Sequence, residues 1–298
     1  MHDALYALAK EFDLIQIEVT LKLKKDGRLP SFKGSLWHGW LGHVLRRYDP
    51  NAYHICFGTH SEFHPKPYMV CPDGNMQTDW RKNQLIRFQL TLFGRATDLA
   101  FSIVKAIHDA CNDELLVLGP DKIPIDLLTI ASLTPLGKTV GLQVHCLRDW
   151  LISPYIEASN KPQEIALQFT TPIRVKYQGQ ILHHSVNDLT FWLNQISRRF
   201  VQLSQYWSVD SPEHVDSFYD DWKSRVPVNI ELKSDLYFED WQRFSKKQKE
   251  ALPFGGLMGQ LSAYGELSSL LPLLMIGERL HVGGKTTFGL GQYQLIAG

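Results

Sequence analysis

Gly277-Glu278-Arg279-Leu280-His281-Val282-Gly283-Gly284-Lys285-Thr286-Thr287-Phe288-Gly289-Leu290-Gly291-Gln292-Tyr293 is the stretch on which the reading of this chain turns. It carries five glycines, between an apolar helical pattern over Leu267 to Leu280 and an alternating strand over Leu290 to Ile296. Glycine accepts positive φ and lets another backbone come close. Exposed amides beside Lys285, Thr286 and Thr287 suit phosphate or other backbone oxygens. The same glycines suit a tight turn in which they only pack. Gly284-Lys285-Thr286 matches the end of a nucleotide-binding P-loop. That motif also needs glycine at 279, where Arg279 stands, and it joins a strand to a following helix. Here the helix comes first and the strand follows. The pattern argues against an ATP site and for a glycine loop closing an α+β domain.

Working back from this loop, a strand–helix–strand order occurs twice. Ile15, Ile17, Val19, Leu21 and Leu23 alternate with mostly polar residues, the period of a half-buried strand. Residues 34–48 switch to helical spacing through Leu36, Trp37, Trp40, Leu41, Val44, Leu45 and Tyr48, and Asp49-Pro50-Asn51 reads as the stop. Residues 53–82 read as a long irregular segment, a length that marks a functional or inserted loop. Strand 84–93, helix 96–112 and short strands at 126–132 and 141–147 complete the first unit. Residues 154–162 read as a linker. The pattern restarts with strand 165–169, helix 187–207, strands at 228–236 and 257–264, helix 267–280 and the closing strand. The expectation is an α+β fold of tandem ferredoxin-like (RRM-like) domains, over 1–153 and 163–298.

The 298 residues hold 31 Lys+Arg against 31 Asp+Glu, with 44% apolar and 21% charged residues. That composition is globular rather than disordered. The charge is unevenly spread. Residues 20–48 hold Lys22, Lys24, Lys25, Arg28, Lys33, Arg46 and Arg47 with one acid, Asp26, whereas 213–240 hold eight acids and three bases. A neutral total can therefore hide a basic face fit for nucleic acid. No window reaches the roughly 18 apolar residues of a membrane span, and the start lacks the features of a secretory signal. Four cysteines in this length make no disulfide framework, so a cytoplasmic location is expected.

The tail from Leu252 to Leu295 contains Pro253-Phe-Gly-Gly-Leu-Met-Gly-Gln-Leu, Leu271-Pro-Leu-Leu, and the glycine stretch ending Phe288-Gly-Leu-Gly-Gln-Tyr. It closely resembles the C-terminal region of the CRISPR precursor-RNA processing endoribonucleases of the repeat-associated mysterious protein (RAMP) superfamily. Thr171-Pro-Ile-Arg-Val-Lys resembles the opening of that family's second domain. Leu36-Trp-His-Gly-Trp-Leu-Gly-His-Val-Leu-Arg-Arg resembles its first helix, and Phe93-Gly-Arg-Ala fits as well. The resemblance implies two ferredoxin-like folds with RNA on a basic surface. It also implies cleavage in which the ribose 2′-hydroxyl attacks the adjacent phosphate, leaving a 2′,3′-cyclic phosphate and a 5′-hydroxyl. CRISPR repeat RNA is the implied substrate, and guide-RNA maturation in antiviral defence the implied role. Effector-complex subunits or a fused reverse transcriptase-integrase are further implied partners. The alternative is a non-catalytic RNA-binding subunit of the same superfamily.

That reaction needs a general base, a general acid and positive charge on the phosphorane. RNA brings its own nucleophile, so no metal or other cofactor is required in principle. Histidine suits acid–base work because it titrates near neutrality. The family places its histidine shortly after the first helix, a register that lands on His54. His43, on the helix with Arg46 and Arg47, and His38 are the alternatives. His38 and His43 are five apart, so a helix points them about 140° from each other. Lys33, Arg46 and Arg47 are candidates to stabilise the phosphorane, and Tyr48 or Tyr53 to orient groups. Arg174, Lys176, Gly283, Gly284, Lys285, Thr286, Thr287, Gly289 and Gly291 are the candidate RNA-binding residues of the second domain. Cys56, His60, His64 and Cys71 are ligand types for zinc, but their spacing matches no usual pattern, and no metal site is expected.

Overall fold

A computed structural model of the chain describes residues 3–58, 64–113, 116–151, 164–208, 215–227, 229–245 and 250–297. The chain separates into two compact units. One holds Phe12–Cys146 with Tyr206–Val209; the other holds Met1–Glu11, Leu147–Gln205 and Asp210–Gly298. The opening helix α1 (Asp3–Lys10) thus belongs with the C-terminal unit. Sequence patterning alone drew contiguous domains at 1–153 and 163–298.

The N-terminal unit is built on β1 (Asp13–Leu23), whose alternating apolar side forms the core. After β2 (Gly27–Arg28) come α2 (Gly34–Tyr48) and α3 (Pro50–Phe57), then β3 (Tyr68–Pro72), β4 (Asp79–Trp80) and β5 (Leu85–Phe93). A 3₁₀ turn leads into α4 (Ala100–Cys111), followed by β6 (Ile125–Thr134), β7 (Gly137–Val140) and β8 (His145–Cys146). The main sheet runs β3-β5-β1-β6-β7, all pairs antiparallel, with β8 beside the start of β1. Ile17, Val19 and Leu21 pack with Trp37, Trp40, Val44 and Leu45 of α2 and Ile103 and Ile107 of α4 in one buried cluster. Period-two burial on the strand meets period-3.6 burial on the helices, the two-layer solution of an α+β domain.

Asp49-Pro50 does end α2, but it also starts a helix the sequence reading left inside an irregular segment. The Asp49 carboxylate accepts the Ala52 N–H at 3.0 Å and Pro50 occupies the first turn. That is a capped N-terminus directly abutting a helix end. The same segment holds β3, which pairs with β5 from Tyr68↔Leu92 to Pro72↔Phe88.

The C-terminal unit contains β9 (Glu164–Ile173), the hairpin β10 (Lys176–Tyr177) and β11 (Gln180–Ile181), α5 (Leu189–Trp207) and α6 (Val215–Ser224). Next are β12 (Glu231–Ser234), β13 (Tyr237–Glu239), the pair β14 (Gln242–Ser245) and β15 (Glu250–Pro253), and β16 (Gly256–Tyr264). α7 (Leu271–Leu280) and β17 (Tyr293–Ala297) close the chain. Its sheet order is β12-β16-β9-β17, with β13 also on β16. α5 buries Leu189, Trp192, Leu193, Ile196, Phe200 and Leu203, the stripe its spacing announces. α7 is buried over most of its surface, as a helix apolar all round must be. No described helix is long and apolar enough to cross a membrane.

Candidate functional site

α2 divides its side chains sharply. Trp37, Trp40, Leu41, Val44 and Leu45 are buried, while Gly39, His43, Arg46 and Arg47 are exposed. α3 folds back against the helix at Gly42, where a Cβ would lie 3.0 Å from the Phe57 ring. At 100° per residue, Arg46 sits about 40° round α2 from Gly42, on the side that faces α3. His54 is exposed on α3, and its carbonyl accepts the Gly58 N–H at 2.9 Å. The α2–α3 edge therefore presents His43, Arg46 and His54 to solvent.

His38 is placed differently. It is half-buried, its Nδ1 lies 3.1 Å from the Tyr68 hydroxyl, and its ring centroid is 5.1 Å from that of Phe57. Tyr53 stacks on Phe57 at 5.4 Å, and Phe57 lies 4.9 Å from Tyr68. Burial holds the Tyr68 phenol protonated far above its ordinary range. His38 and Tyr53 are thus members of an aromatic cluster that joins α2, α3 and β3.

Two expected phosphate or proton handlers are already committed. The Lys33 ammonium is fully buried and donates to the carbonyls of Ser31 (3.0 Å), Asn75 (2.5 Å) and Gln77 (3.0 Å), above the Trp80 ring. Its three donors are spent and burial lowers its pKa, so it organises the entry to α2 rather than facing a phosphate. The Tyr48 hydroxyl donates to Asp113 at 2.5 Å, and the Arg47 guanidinium pairs with the same carboxylate at 3.0 Å. Burial first, then that hydrogen bond, raises the Tyr48 pKa. Tyr48 fastens the end of α2 to the chain after α4, and Arg47 shares its charge with Asp113. Arg46 makes no ion pair among the described residues.

The glycine loop also differs from expectation. Its amides turn inward: Gly284 N–H donates to Arg174 O at 2.7 Å and Gly291 N–H to Pro172 O at 3.0 Å. The Thr171 hydroxyl donates to Gly289 O at 2.9 Å, and Val282 N–H donates to Gly291 O at 3.0 Å. Thr286, Gly289 and Gly291 are buried, Gly283 and Thr287 are half-buried, and only Gly284 and Lys285 are exposed. The loop is therefore a clasp on the end of β9, with Lys285 displayed at its tip at φ 64. Arg174 is part of the clasp: it is half-buried and donates to Gly255 O at 2.5 Å, and burial lowers its pKa. Lys176 is exposed at the base of the β10–β11 hairpin.

Sequence patterning did not single out His281, at the C-terminus of α7. It is buried, adopts φ 55, and its Nδ1 lies 3.2 Å from Leu290 O. Burial chiefly lowers its pKa from 6.5 to about 4, with Arg199 and Arg279 adding to the shift against the bond to Leu290. The unfolded chain takes up this proton near pH 6.5 and the folded chain only near pH 4. Stability is thus complete above pH 6.5 and falls as pH drops through the window between those values, by about 3 kcal/mol in all. Denaturant unfolding at pH 7 and pH 4.5 should show this loss in the native protein and a smaller one in His281→Gln. Equal losses in the two proteins would assign the acid sensitivity elsewhere.

Among the described residues, no three His, Cys, Asp or Glu side chains are grouped to hold a metal ion. Cys56 and Cys71 are buried, and burial pushes both thiols up to about 12. His60 lies outside the described residues. None of the four cysteines forms a disulfide.

Comparison with known families and structures gives two family matches. Residues 12–148 match a family described as an N-terminal domain, and residues 167–293 match the CRISPR-associated endoribonuclease Cas6 family. No curated protein sequence matches the chain. Among solved structures, a partial Cas6-RT-Cas1–Cas2 complex superposes with a TM-score of 0.65 at 16% identity, covering 96% of this chain and 46% of that one. A Cas6 product complex gives 0.60 at 17% identity, covering 95% and 100%. Cas6 of Thermus thermophilus gives 0.55 at 15%, covering 96% and 99%. The chain spans under half the length of the first of these. At such identities the likeness is one of fold, that of tandem ferredoxin-like domains.

Proposed function

We propose, since residues 167–293 match the CRISPR-associated endoribonuclease Cas6 family, that the protein is a member of that family and cuts CRISPR precursor RNA within its repeats to release guide RNAs. The observation that carries the reading is the α2–α3 edge, where the imidazoles of His43 and His54 and the guanidinium of Arg46 are exposed on two abutting helices. His54 is the general base of this proposal. It takes the proton of a ribose 2′-hydroxyl as that oxygen bonds to the adjacent phosphorus. The P–O5′ bond breaks, a general acid returns a proton to O5′, and the products are a 2′,3′-cyclic phosphate and a 5′-hydroxyl. In this proposal His43 acts as that acid, and Arg46 offsets charge on the phosphorane. Lys285 and Lys176 supply phosphate contacts from the C-terminal unit. No step calls on a metal ion.

The expected partners are repeat RNA and, by likeness to the Cas6-RT-Cas1–Cas2 assembly, a reverse transcriptase-integrase, with effector-complex subunits as further candidates. A cytoplasmic setting suits the four cysteines. The test is incubation with repeat RNA in EDTA. Discrete cuts that a 2′-deoxy substitution at the cut site abolishes support the enzyme. Tight binding of RNA that stays intact would mean a non-catalytic RAMP subunit. Cutting that requires added Mg²⁺ would overturn the metal-independent mechanism.

A further inference from the structure

Three loops of the N-terminal unit meet at one end of its sheet. Residues 23–28 leave β1, residues 79–84 carry β4 into β5, and residues 118–124 form the turn before β6. Backbone bonds knit them together: Leu23 N–H donates to Gln84 O at 3.0 Å and Lys24 N–H to Pro124 O at 2.9 Å. Lys82 N–H donates to the Asp26 carboxylate at 2.7 Å, and Arg28 N–H to that of Asp121 at 2.7 Å. The loops hold six cations (Lys24, Lys25, Arg28, Arg81, Lys82, Lys122), with Lys22 just before them in β1, and, counting Asp126 just beyond, four carboxylates.

The carboxylates here are occupied. Asp26 and Asp121 accept the backbone amides just named. Asp79 pairs with Arg28 at 3.2 Å, and Asp126 with Lys22 and Lys24 at 3.5 and 3.4 Å. Lys25, Arg81, Lys82 and Lys122 are exposed and make no ion pair among the described residues. Lys122 adopts φ 51, a conformation that glycine or asparagine holds at less cost. Its turn would form more easily without a lysine, so the gain at this position is the charge it displays. The fields of these four cations are mutually repulsive until a polyanion covers them.

This end is separate from the α2–α3 edge. The buried Lys33 binds the carbonyls of Asn75 and Gln77 beside Trp80, which puts the start of α2 here. The 15 residues of α2 carry Arg46 about 20 Å away.

We propose that the 23–28, 79–84 and 118–124 loops form a second RNA contact. This contact grips backbone phosphates without reading bases and extends the bound strand well beyond the cleavage point. The inference rests on the RNA-processing reading above. Affinity from such contacts is electrostatic, and each phosphate neutralised contributes about 0.7–0.9 to the slope of log K against log salt.

The test is a quadruple variant, Lys25→Gln, Arg81→Gln, Lys82→Gln and Lys122→Asn. Its binding to a 2′-deoxy-blocked repeat RNA is measured from 50 to 300 mM NaCl. A control removes four lysines elsewhere: Lys105→Gln, Lys138→Gln, Lys223→Gln and Lys233→Gln. The expected result is a slope shallower by about two to three and affinity weaker by about tenfold or more near 150 mM salt, against a small change in the control. Should the quadruple variant unfold, Lys25→Gln and Lys82→Gln singly should each lower the slope by about one. A slope no different from the control overturns the proposal. RNA bound by the unaltered protein but never cut, when the 2′-hydroxyl is present, overturns the nuclease reading and leaves the slope comparison to decide this contact. No RNA binding by the unaltered protein overturns both.

Discussion

Replacing His54 with Ala should slow single-turnover cleavage of repeat RNA about 10²–10⁴-fold while leaving RNA affinity within about threefold. In barrier terms this is about 3–5 kcal/mol, the ordinary worth of a positioned proton-transfer group. The structure allows a clean measurement. His54 is exposed on a short helix whose cap is Asp49 and whose packing contact is Phe57, so truncating the imidazole leaves both in place. His43→Ala is the informative companion. It should cost a similar factor if it donates the leaving proton, and its loss should act on the opposite limb of the pH–rate profile. His38→Ala should behave differently again. It removes a half-buried ring bonded to the Tyr68 hydroxyl, so it should lower the unfolding midpoint first and the cleavage rate only through that. A His54→Ala protein cutting at more than a third of the unaltered rate would sink the assignment of the base, and a large loss in His43→Ala alone would move it to α2.

The helices and strands with clean periodicity were legible: β1, α2, β5, α4, β9, α5, β16 and α7 lie where the apolar spacing puts them. What escaped was local chemistry that one residue serves in two ways. Asp49-Pro50 is at once the stop of α2 and the cap of α3, and a stop signal hides the helix behind it. α1 and α6 are short amphipathic helices lying against the C-terminal unit, and eight to ten residues give too few turns for a spacing argument to hold. For the site, the sequence supplies residue types but not whether each is already spent. Lys33 looks like any lysine before a helix, yet three carbonyls 2 and about 40 residues away in sequence consume its donors. Tyr48 is likewise consumed by Asp113, and the loop amides by Pro172 and Arg174. Such commitments arise from contacts distant in sequence, which no local pattern encodes. His43, Arg46 and His54 are exposed, which no local pattern announces either.

Gly291→Ala should destabilise the C-terminal unit by about 4 kcal/mol or more, a large share of the 5–15 kcal/mol that holds a typical domain. Two costs add. Gly291 adopts φ 73, which charges an L-residue about 1–2 kcal/mol. A Cβ there would also sit 1.8 Å from Val282 O and 2.8 Å from Val282 C, so backbone has to move. The movement threatens both bonds that define the clasp, Val282 N–H to Gly291 O and Gly291 N–H to Pro172 O, each 3.0 Å. Gly284→Ala is the contrast. Its Cβ would meet Arg174 O at 3.6 Å, an ordinary contact, and its φ is not positive, so the cost should stay below about 1 kcal/mol. The pair separates two explanations of why a glycine loop stands here. If the glycines serve chiefly to grip phosphate, both substitutions should weaken RNA binding and neither should shift unfolding much. With the amides turned onto β9, Gly291→Ala should instead lose its urea midpoint first, and RNA binding should follow only as the unit unfolds. Lys285→Ala, at the exposed tip, should weaken binding with the midpoint preserved. An unfolding free energy for Gly291→Ala within about 1 kcal/mol of the unaltered protein would show that the loop relaxes cheaply, and the clasp would then be a poor description of what holds it.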